Sequence, residues 1–339
     1  PTRHDVAALE IAATERLGSL VAKLGKDDAG AYFDRAAVLA RQLAQKPTSL
    51  QAVVKSDLAQ TCALLGSRLQ QYNRVDNAES MIQVSLQLWN DLLTDDPDNW
   101  DYRVGYAGAL GDQGLQRMWL GDRNAEAKAS YEIAKDYLIQ LQTERPGDRR
   151  SREILVGVYL SLGVLAHWDG DLQESIEHTS RGVAVARQLV QEFPTDQDSL
   201  RGLTIVLQNL SSFLIESDAR DEAQPVIDEW FECANKLSQR NPSVIEYLGR
   251  FQLASQLKAG NLLEQQDVLR ATSVARLLRE RIEQTMRLQG THQNLELATY
   301  AENARFLEFE CLIEQARYGE AIQIMRDSAF DPYRFVPDR

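Results

Sequence analysis

Apolar side chains recur along this chain at steps of three and four residues, the spacing of one face of an α-helix. The stretch from residue 149 to residue 196 shows the pattern most fully, with one apolar stripe over 154–165 and a second over 183–190. An Asp-Gly-Asp turn separates the two stripes, and a loop containing proline follows the second. The alternation typical of β-strands is absent. The pattern therefore predicts a helical hairpin whose two stripes are buried by neighbouring hairpins.

The same plan recurs with a period of 48–50 residues over most of the chain, and three separate sets of residues mark it. Prolines in polar loops form the first set: Pro47, Pro97, Pro146, Pro194 and Pro242. Small residues that begin each second helix form the next set: Ala29, Ala78, Ala127, Ser175, Ala223, Ala271 and Ala321. Basic residues in the first helices form the last set: Lys55, Arg103, Arg152, Arg201 and Arg250. Three sets in register predict an internal repeat.

We expect an all-α fold, a right-handed α-solenoid of about seven antiparallel hairpins. The predicted hairpins lie near 4–45, 49–94, 99–143, 149–192, 198–239, 243–289 and 292–328. In the sixth hairpin, we predict a first helix over 243–261 and a second over 264–289. The tail over 329–339 is predicted to be non-helical, because two prolines interrupt it. It caps the last helix, mediates self-association or leads to a partner.

Several motifs resemble the tetratricopeptide repeat: Leu162-Gly163, Gly170-Asp171, Glu174-Ser175-Ile176 and the closing Pro194, with Leu65-Gly66, Gly121-Asp122, Glu126-Ala127 and Glu320-Ala321 elsewhere. The usual unit has about 34 residues, and the surplus of about 14 residues adds about two turns to each helix. Long-period units of this kind resemble arrays that follow the kinase domain in some bacterial serine/threonine protein kinases. The resemblance implies a helical solenoid whose first helices line a groove for a protein partner.

Charge and composition narrow the classes of partner. The formal net charge of −13 argues against nucleic acid and against an anionic membrane surface. It is compatible with a basic or neutral protein segment. The longest apolar run, 154–166, is too short to span a membrane. Cys62, Cys233 and Cys311 are widely spaced and are expected as buried free thiols. With no signal-peptide pattern at the start, we expect a cytoplasmic protein, or a piece of a larger one.

No motif for catalysis is recognisable. The sequence contains no kinase motif, no nucleotide-binding glycine loop and no nucleophile–histidine–acid pattern. Its four histidines do not stand at metal-ligand spacing: His4, His167, His178 and His292. We therefore predict a non-enzymatic protein with no metal and no cofactor.

Gly105, Gly108, Gly111 and Gly114 form a run at steps of three within one predicted helix. Glycine is about 1 kcal/mol less favourable than alanine inside a helix, so the run needs a physical reason. One interpretation is a stripe that lets a neighbouring helix approach closely. The other is a ligand backbone that lies against this helix.

Candidate binding residues follow from placing the contact between the two helices of a hairpin at Gly66, Leu115, Gly163 and Ser211. In tetratricopeptide arrays the first helices line the inner groove, and this register points certain side chains inward. They are Gln60, Gln70, Asp112, Gln116, Trp119, Leu160, His167, Trp168, Gln208 and Gln256. Amides of this kind can bond a peptide backbone, and aromatic side chains can hold anchor residues. The alternative for Trp119 and Trp168 is that they pack between hairpins.

The sequence thus favours a protein–protein interaction scaffold that holds a protein or peptide segment in its groove. Two alternatives stay open. The chain could be the sensory or docking region of a multidomain signalling enzyme, such as a bacterial serine/threonine kinase. It could also be a sensor of a small ligand, for which the glycine run is the observation.

Overall fold

The computed structural model describes residues 3–24, 28–45, 50–289 and 295–326. Fourteen α-helices follow one another in these residues, and no strand is present among them. Their bounds are α1 Arg3–Lys23, α2 Ala29–Ala44, α3 Ala52–Gln71, α4 Val75–Asp95, α5 Trp100–Trp119, α6 Asn124–Glu144, α7 Arg149–Trp168, α8 Leu172–Glu192, α9 Gln197–Glu216, α10 Arg220–Arg240, α11 Ile245–Glu264, α12 Val268–Gln289, α13 Leu295–Glu314 and α14 Tyr318–Arg326. The predicted all-α architecture of helical hairpins is confirmed. The predicted tail over 329–339 and His292 lie outside the described residues.

Two compact units divide the chain, residues 1–185 and residues 186–339, and the division falls inside α8. Unit 1 has two apolar clusters. Phe33 and Trp89 belong to the first cluster, and Leu162 belongs to the second. Each cluster fills the space between the two helices of a hairpin and the next hairpin, as expected for a stack of repeats.

Unit 2 has a core of its own. Phe231 of α10 and Phe251 of α11 pack with ring centroids 5.4 Å apart. At the other end of the unit, Glu308 of α13 is only 4% exposed at its side chain and lies 3.3 Å from Arg276 and 2.9 Å from Arg279. The two guanidinium groups of α12 compensate this buried carboxylate.

None of the described helices is long and apolar enough to cross a membrane. This agrees with the length of the run over 154–166, which forms part of α7. Most of its large apolar residues are buried, among them Leu155, Val158 and Leu162. The apolar run is therefore explained by packing within the repeat.

Glycines allow the two helices of a hairpin to approach closely. A Cβ atom added to Gly66 would lie 2.6 Å from Cδ1 of Ile82, and one added to Gly114 would lie 2.8 Å from Cζ of Tyr131. The contact in the third hairpin is therefore made by Gly114, and the prediction of Leu115 is wrong by one residue. The ring of Tyr131 occupies the space that a side chain at position 114 would need. Leu115 faces away from this contact and is 39% exposed.

One residue with positive φ lies in each hairpin turn from the second hairpin to the seventh. These residues are Asn73 (57°), Gly121 (73°), Gly170 (81°), Asp218 (60°), Gln266 (62°) and Ala316 (55°). The backbone N–H of the residue that follows the positive-φ residue usually donates a hydrogen bond to a carbonyl of the preceding helix. Asp171 N–H donates in this way to the carbonyl of Ala166 at 2.9 Å. This bond satisfies a carbonyl at the helix end and reverses the chain. The repeat is thus visible in the backbone itself.

The sixth hairpin turns later than predicted. α11 continues through Gly260 to Glu264, and α12 begins at Val268, where the sequence indicated 261 and 264. Gly260 lies inside α11, with nothing within 4 Å of an added Cβ. The left-handed position is taken by Gln266 instead.

The repeated basic residues have a structural role in the second and third hairpins. Lys55 lies 3.5 Å from Asp95, at the end of the second helix of its own hairpin. Arg103 pairs with both carboxylate oxygens of Glu144, at the equivalent place in the next hairpin. Arg152 donates to the carbonyl of Asp148 at 3.3 Å. Lys55 and Arg103 thus link the first helix of a hairpin to the end of its second helix, whereas Arg201 and Arg250 both pair with Glu246 of α11.

Candidate binding surface on the first helices

A cleft of about 480 Å³ lies between α5 and α7, two first helices of unit 1 that pack against each other. We refer to it as the α5/α7 cleft. Its lining consists of Gly108, Gly111, Asp112 and Leu115 from α5, Tyr131 from α6, and Arg150, Glu153, Ile154, Gly157, Val158 and Ser161 from α7. Three of these residues are glycines, so bare helix backbone forms part of the wall.

The glycine run of α5 divides into two pairs with different surroundings. A Cβ added to Gly105 would lie 2.5 Å from Cζ2 of Trp89, and Gly114 is equally constrained by Tyr131. In contrast, a Cβ added to Gly108 would lie 3.5 Å from Cδ1 of Ile154, and one added to Gly111 would lie 3.7 Å from Cγ2 of Val158. Packing therefore explains the first pair, whereas the second pair borders the cleft with space for a side chain.

Asp112 brings a carboxylate to the wall of the cleft. Burial raises the pKa of this carboxyl to about 6. Asp112 forms no ion pair with any residue that the structure describes. A desolvated carboxylate without a counter-charge is unfavourable in the free protein, and a cation in the cleft would relieve it.

Tyr131 brings a hydroxyl group to the same cleft from α6. The side chain is 2% exposed, and its Oη makes no hydrogen bond of normal geometry. Ser161 Oγ is close enough to affect the pKa of Tyr131, which burial and the charge of Asp112 raise. Asp112, Tyr131 and Ser161 thus line one cleft, and the Tyr131 hydroxyl there lacks a hydrogen bond of normal geometry.

The charges at the rim of the cleft are either paired or exposed to solvent. Glu153 accepts from Arg149 Nε at 2.6 Å. Arg150 is exposed, and its charge acts on Asp148, the residue that caps the start of α7. The rim charges are thus paired or solvated, whereas the carboxylate of Asp112 is desolvated and has no ion-pair partner among the described residues.

Trp119 and Trp168 are the last residues of α5 and α7. Each follows its hairpin-contact glycine, Gly114 or Gly163, by five residues, so the two tryptophans occupy equivalent positions in successive repeats. Trp119 is 73% exposed and Trp168 is 54% exposed. The alternative that they pack between hairpins is therefore wrong, because most of each indole surface faces solvent.

The other predicted residues of α5 and α7 are less accessible. Gln116 is buried at 3% exposure, and its Nε2 has no hydrogen-bond partner. The correct contact at Gly114 places Gln116 on the packed side of the helix, so it is not part of an open surface. Leu160 and His167 are half-buried on α7 and do not line the α5/α7 cleft.

A second cleft, of about 700 Å³, lies between α1 and α3 of unit 1. Gln60 is exposed and lines it together with the exposed apolar side chains of Leu9, Val53 and Leu64. Gln70 is half-buried near the end of α3 and lies outside this lining. The first helices of unit 1 thus border two separate clefts.

Unit 2 also has a cleft between first helices, of about 500 Å³, lined by residues of α9, α11 and α13. Gln208 belongs to its lining, whereas Gln256 is half-buried on α11 and does not. Gln252 lines the same cleft and is buried, with an unpartnered Oε1. A first-helix cleft is therefore a recurrent feature within each unit.

Sequence reasoning missed Tyr131, Arg150, Gly157 and Ser161. Ser161 stands two residues before Gly163, as Asp112 stands two residues before Gly114, so a correct register at position 114 would have pointed to it. Tyr131 lies on a second helix, and only the packing of its ring against Gly114 carries its hydroxyl to the cleft.

The described residues contain no group of histidine, cysteine and acidic side chains that could hold a metal ion. His178 is buried beside Tyr159 and lies 3.4 Å from Glu174, which gives it a packing role. Burial raises the pKa of the Cys62 thiol to about 12 and that of Cys233 to about 11. Such thiols are protonated and unreactive at neutral pH.

Comparison with known proteins establishes the fold. Neither the protein-family models nor the curated proteins searched match this sequence. Among solved structures, the chain is similar to the apo form of RapI, with a TM-score of 0.53 and 11% identity over 94% of this chain and 75% of RapI. It is also similar to the nuclear import adaptor Nro1 of S. pombe, with a TM-score of 0.51 and 12% identity over 88% of this chain and 99% of Nro1.

BtubC (BKLC) of P. vanneervenii is similar as well, with a TM-score of 0.50 and 15% identity over 78% of this chain and 95% of BtubC. At these identities the likeness concerns the fold alone. The repeated hairpins and these matches confirm the tetratricopeptide-like fold that the motifs implied. The finer resemblance to kinase-associated arrays stays a prediction.

Proposed function

We propose that this chain is a protein-interaction scaffold, and that the α5/α7 cleft of unit 1 holds a segment of a partner protein. The observation that carries the proposal is the pair of glycines, Gly108 and Gly111, which keep the wall of the cleft free of side chains without any packing requirement. Two such residues weaken α5 by about 1 kcal/mol each relative to alanine. Close approach of a ligand backbone accounts for that loss.

The dimensions favour a chain segment over a compact small molecule. From Gly108 to Trp119, α5 advances by about 16 Å, at about 1.5 Å per residue. An extended segment of about five residues covers that length, at about 3.3 Å per residue. Trp119 and Trp168 are the last residues of α5 and α7, and their exposed indoles can hold an apolar side chain of the segment.

Charge and fold agree with this role. The net charge of −13 suits a segment that is basic or neutral. Nro1, which has a similar fold, is described as a nuclear import adaptor. The proposed role requires no catalysis. The scaffold role is compatible with the prediction that this chain is a region of a larger signalling enzyme, and that prediction remains open to test.

A peptide-display selection against the full chain tests the proposal. We expect selected peptides to lose affinity about tenfold or more for the double variant Trp119→Ala/Trp168→Ala, because exposed aromatic anchors dominate such interfaces. Ile133→Ala is the matched control, since Ile133 is 57% exposed on the second helix α6. Circular dichroism confirms that each variant keeps its helices.

Equal loss of affinity in the control and the double variant would place binding elsewhere. A selection that yields no peptide, together with stabilisation of the chain by a compact metabolite, would favour the small-ligand alternative, because a ligand of the folded state raises the melting temperature.

A further inference from the structure

We infer that the α5/α7 cleft accepts the ammonium group of a lysine side chain from the bound segment, with Asp112 as the counter-charge and the hydroxyls of Tyr131 and Ser161 as further acceptors. This inference rests on the proposed function and specifies its ligand. It concerns one site in unit 1, whose lining residues come from α5, α6 and α7.

The sign of the charge follows from the balance of the lining. Glu153 is paired with Arg149, and Arg150 is exposed to solvent, so neither rim charge needs a ligand as its counter-charge. Asp112 has no ion-pair partner in the described part of the chain. A bound cation would therefore compensate the carboxylate of Asp112.

The number of acceptors favours an ammonium group. Lysine presents three N–H donors that can be directed separately, whereas the five donors of arginine are fixed in one planar fork. The cleft offers a carboxylate from Asp112 and two hydroxyl oxygens, those of Tyr131 and Ser161. Tyr131 Oη is the second, independent sign of a ligand, because it is buried, makes no hydrogen bond of normal geometry and is part of the lining.

The glycines provide the path for the lysine stem. Its four methylene groups need an apolar, unobstructed surface, while the charged end reaches a polar group. Gly108 and Gly111 leave that surface bare on α5, and Gly157 faces it from α7 with nothing within 4 Å of an added Cβ. A methyl group at position 111 would narrow the path without touching the rest of the protein closely.

The test uses the full chain, labelled with ¹⁵N, and the peptide Ac-Gly-Gly-Lys-Gly-Gly-NH₂ as the probe. Norleucine and glutamate versions of the peptide are the controls. We expect the lysine peptide to shift the amide signals of Gly108, Gly111 and Gly157. Asp112→Asn is expected to weaken binding about tenfold or more, as for loss of a charge-assisted hydrogen bond. Gly111→Ala is expected to weaken it severalfold while the protein stays folded.

The pH dependence gives a further readout. Burial sets the pKa of Asp112 near 6, and Tyr131, Arg150 and Glu153 are the titratable and charged groups facing it from α6 and α7. Only the ionised carboxylate pairs with ammonium, so affinity should fall by about tenfold per pH unit well below the pKa. The Asp112→Asn variant should show no such fall.

Three outcomes would overturn the inference. They are equal binding of the norleucine peptide, stronger binding of the glutamate peptide through Arg150, and no binding of the lysine peptide up to about 10 mM, which would detect millimolar affinity. If any of these occurred while display-selected peptides still depended on Trp119 and Trp168, the proposed function would stand and the lysine site would not. Selected peptides that ignore both tryptophans would count against the proposed function itself.

Discussion

A Cβ atom on Gly114 would lie 2.8 Å from Cζ of Tyr131, so the two helices of the third hairpin meet at a point where no side chain fits. Three residues earlier on the same helix, at Gly111, the nearest neighbour of such an atom is Val158 Cγ2 at 3.7 Å. The absence of a side chain therefore has a different structural consequence at Gly114 and at Gly111, which lie about one helical turn apart. The first serves the hairpin, and the second leaves the α5/α7 cleft open.

Alanine substitutions should separate these two consequences. We expect Gly114→Ala to lower the free energy of unfolding by about 1 kcal/mol, because overpacking against a buried ring outweighs the gain in helix propensity. Gly111→Ala should raise it by about 0.5–1 kcal/mol, since the methyl group meets no close contact. Urea denaturation followed by circular dichroism measures both. A loss of stability in Gly111→Ala would mean that position 111 is structural after all.

The hairpin turns give a second prediction about stability. Ala316 and Gln266 adopt φ values of 55° and 62°, which are unfavourable for residues with a Cβ atom. Replacing either residue by glycine should raise the free energy of unfolding by about 1 kcal/mol. Gly170→Ala, at a φ of 81°, should lower it by a similar amount. If all three substitutions shifted the denaturation midpoint in the same direction, the turn geometry would not be the cause.

Tyr131→Phe should leave the stability of the chain unchanged or slightly raised. The hydroxyl that it removes is buried and lacks a hydrogen bond of normal geometry, so no favourable contact is lost. The same variant should bind the lysine peptide severalfold more weakly. A clear drop in the thermal midpoint, without any change in peptide affinity, would show that the hydroxyl has an internal partner and no role in the cleft.

Stability should depend on pH through Asp112. Its pKa is about 6 in the folded chain and about 3.9 when the chain is unfolded, so the folded state holds the proton more tightly. The folded state therefore loses stability as pH rises from about 4 to about 6, and this loss levels off above the folded pKa. Asp112→Asn should remove that loss and exceed the wild type by about 2 kcal/mol at pH 7. Below pH 4 the two proteins should be alike. Equal stability across the whole range would mean that Asp112 is fully solvated.

The period and the helices were predictable because they depend on local features. Prolines, small residues and apolar stripes recur at fixed distances, and each acts on the few residues around it. The turn of the sixth hairpin was placed too early because the actual turn residue, Gln266, gives no turn signal in the sequence. A left-handed residue other than glycine or asparagine can be recognised only from the packing of the helices that it joins.

The cleft was predictable in part. Asp112 lines the α5/α7 cleft and Trp119 and Trp168 are exposed, and their part in binding a partner stays a prediction. Choosing Leu115 over Gly114 as the contact rotated the predicted face of α5 by about 100°, which brought buried Gln116 into the set. The deciding neighbour, Tyr131, lies on another helix, and nothing in the pattern of α5 reveals where its ring packs.

The most direct test of the central claim is to map where a bound segment lies. A display-selected peptide carrying a photoreactive benzophenone would be cross-linked to the full chain, and the modified residues would be identified by mass spectrometry. We predict cross-links to the residues that border the α5/α7 cleft, within 108–119 and 150–168. Cross-links confined to the outer surface of second helices, such as the region of Ile133 on α6, would contradict the account.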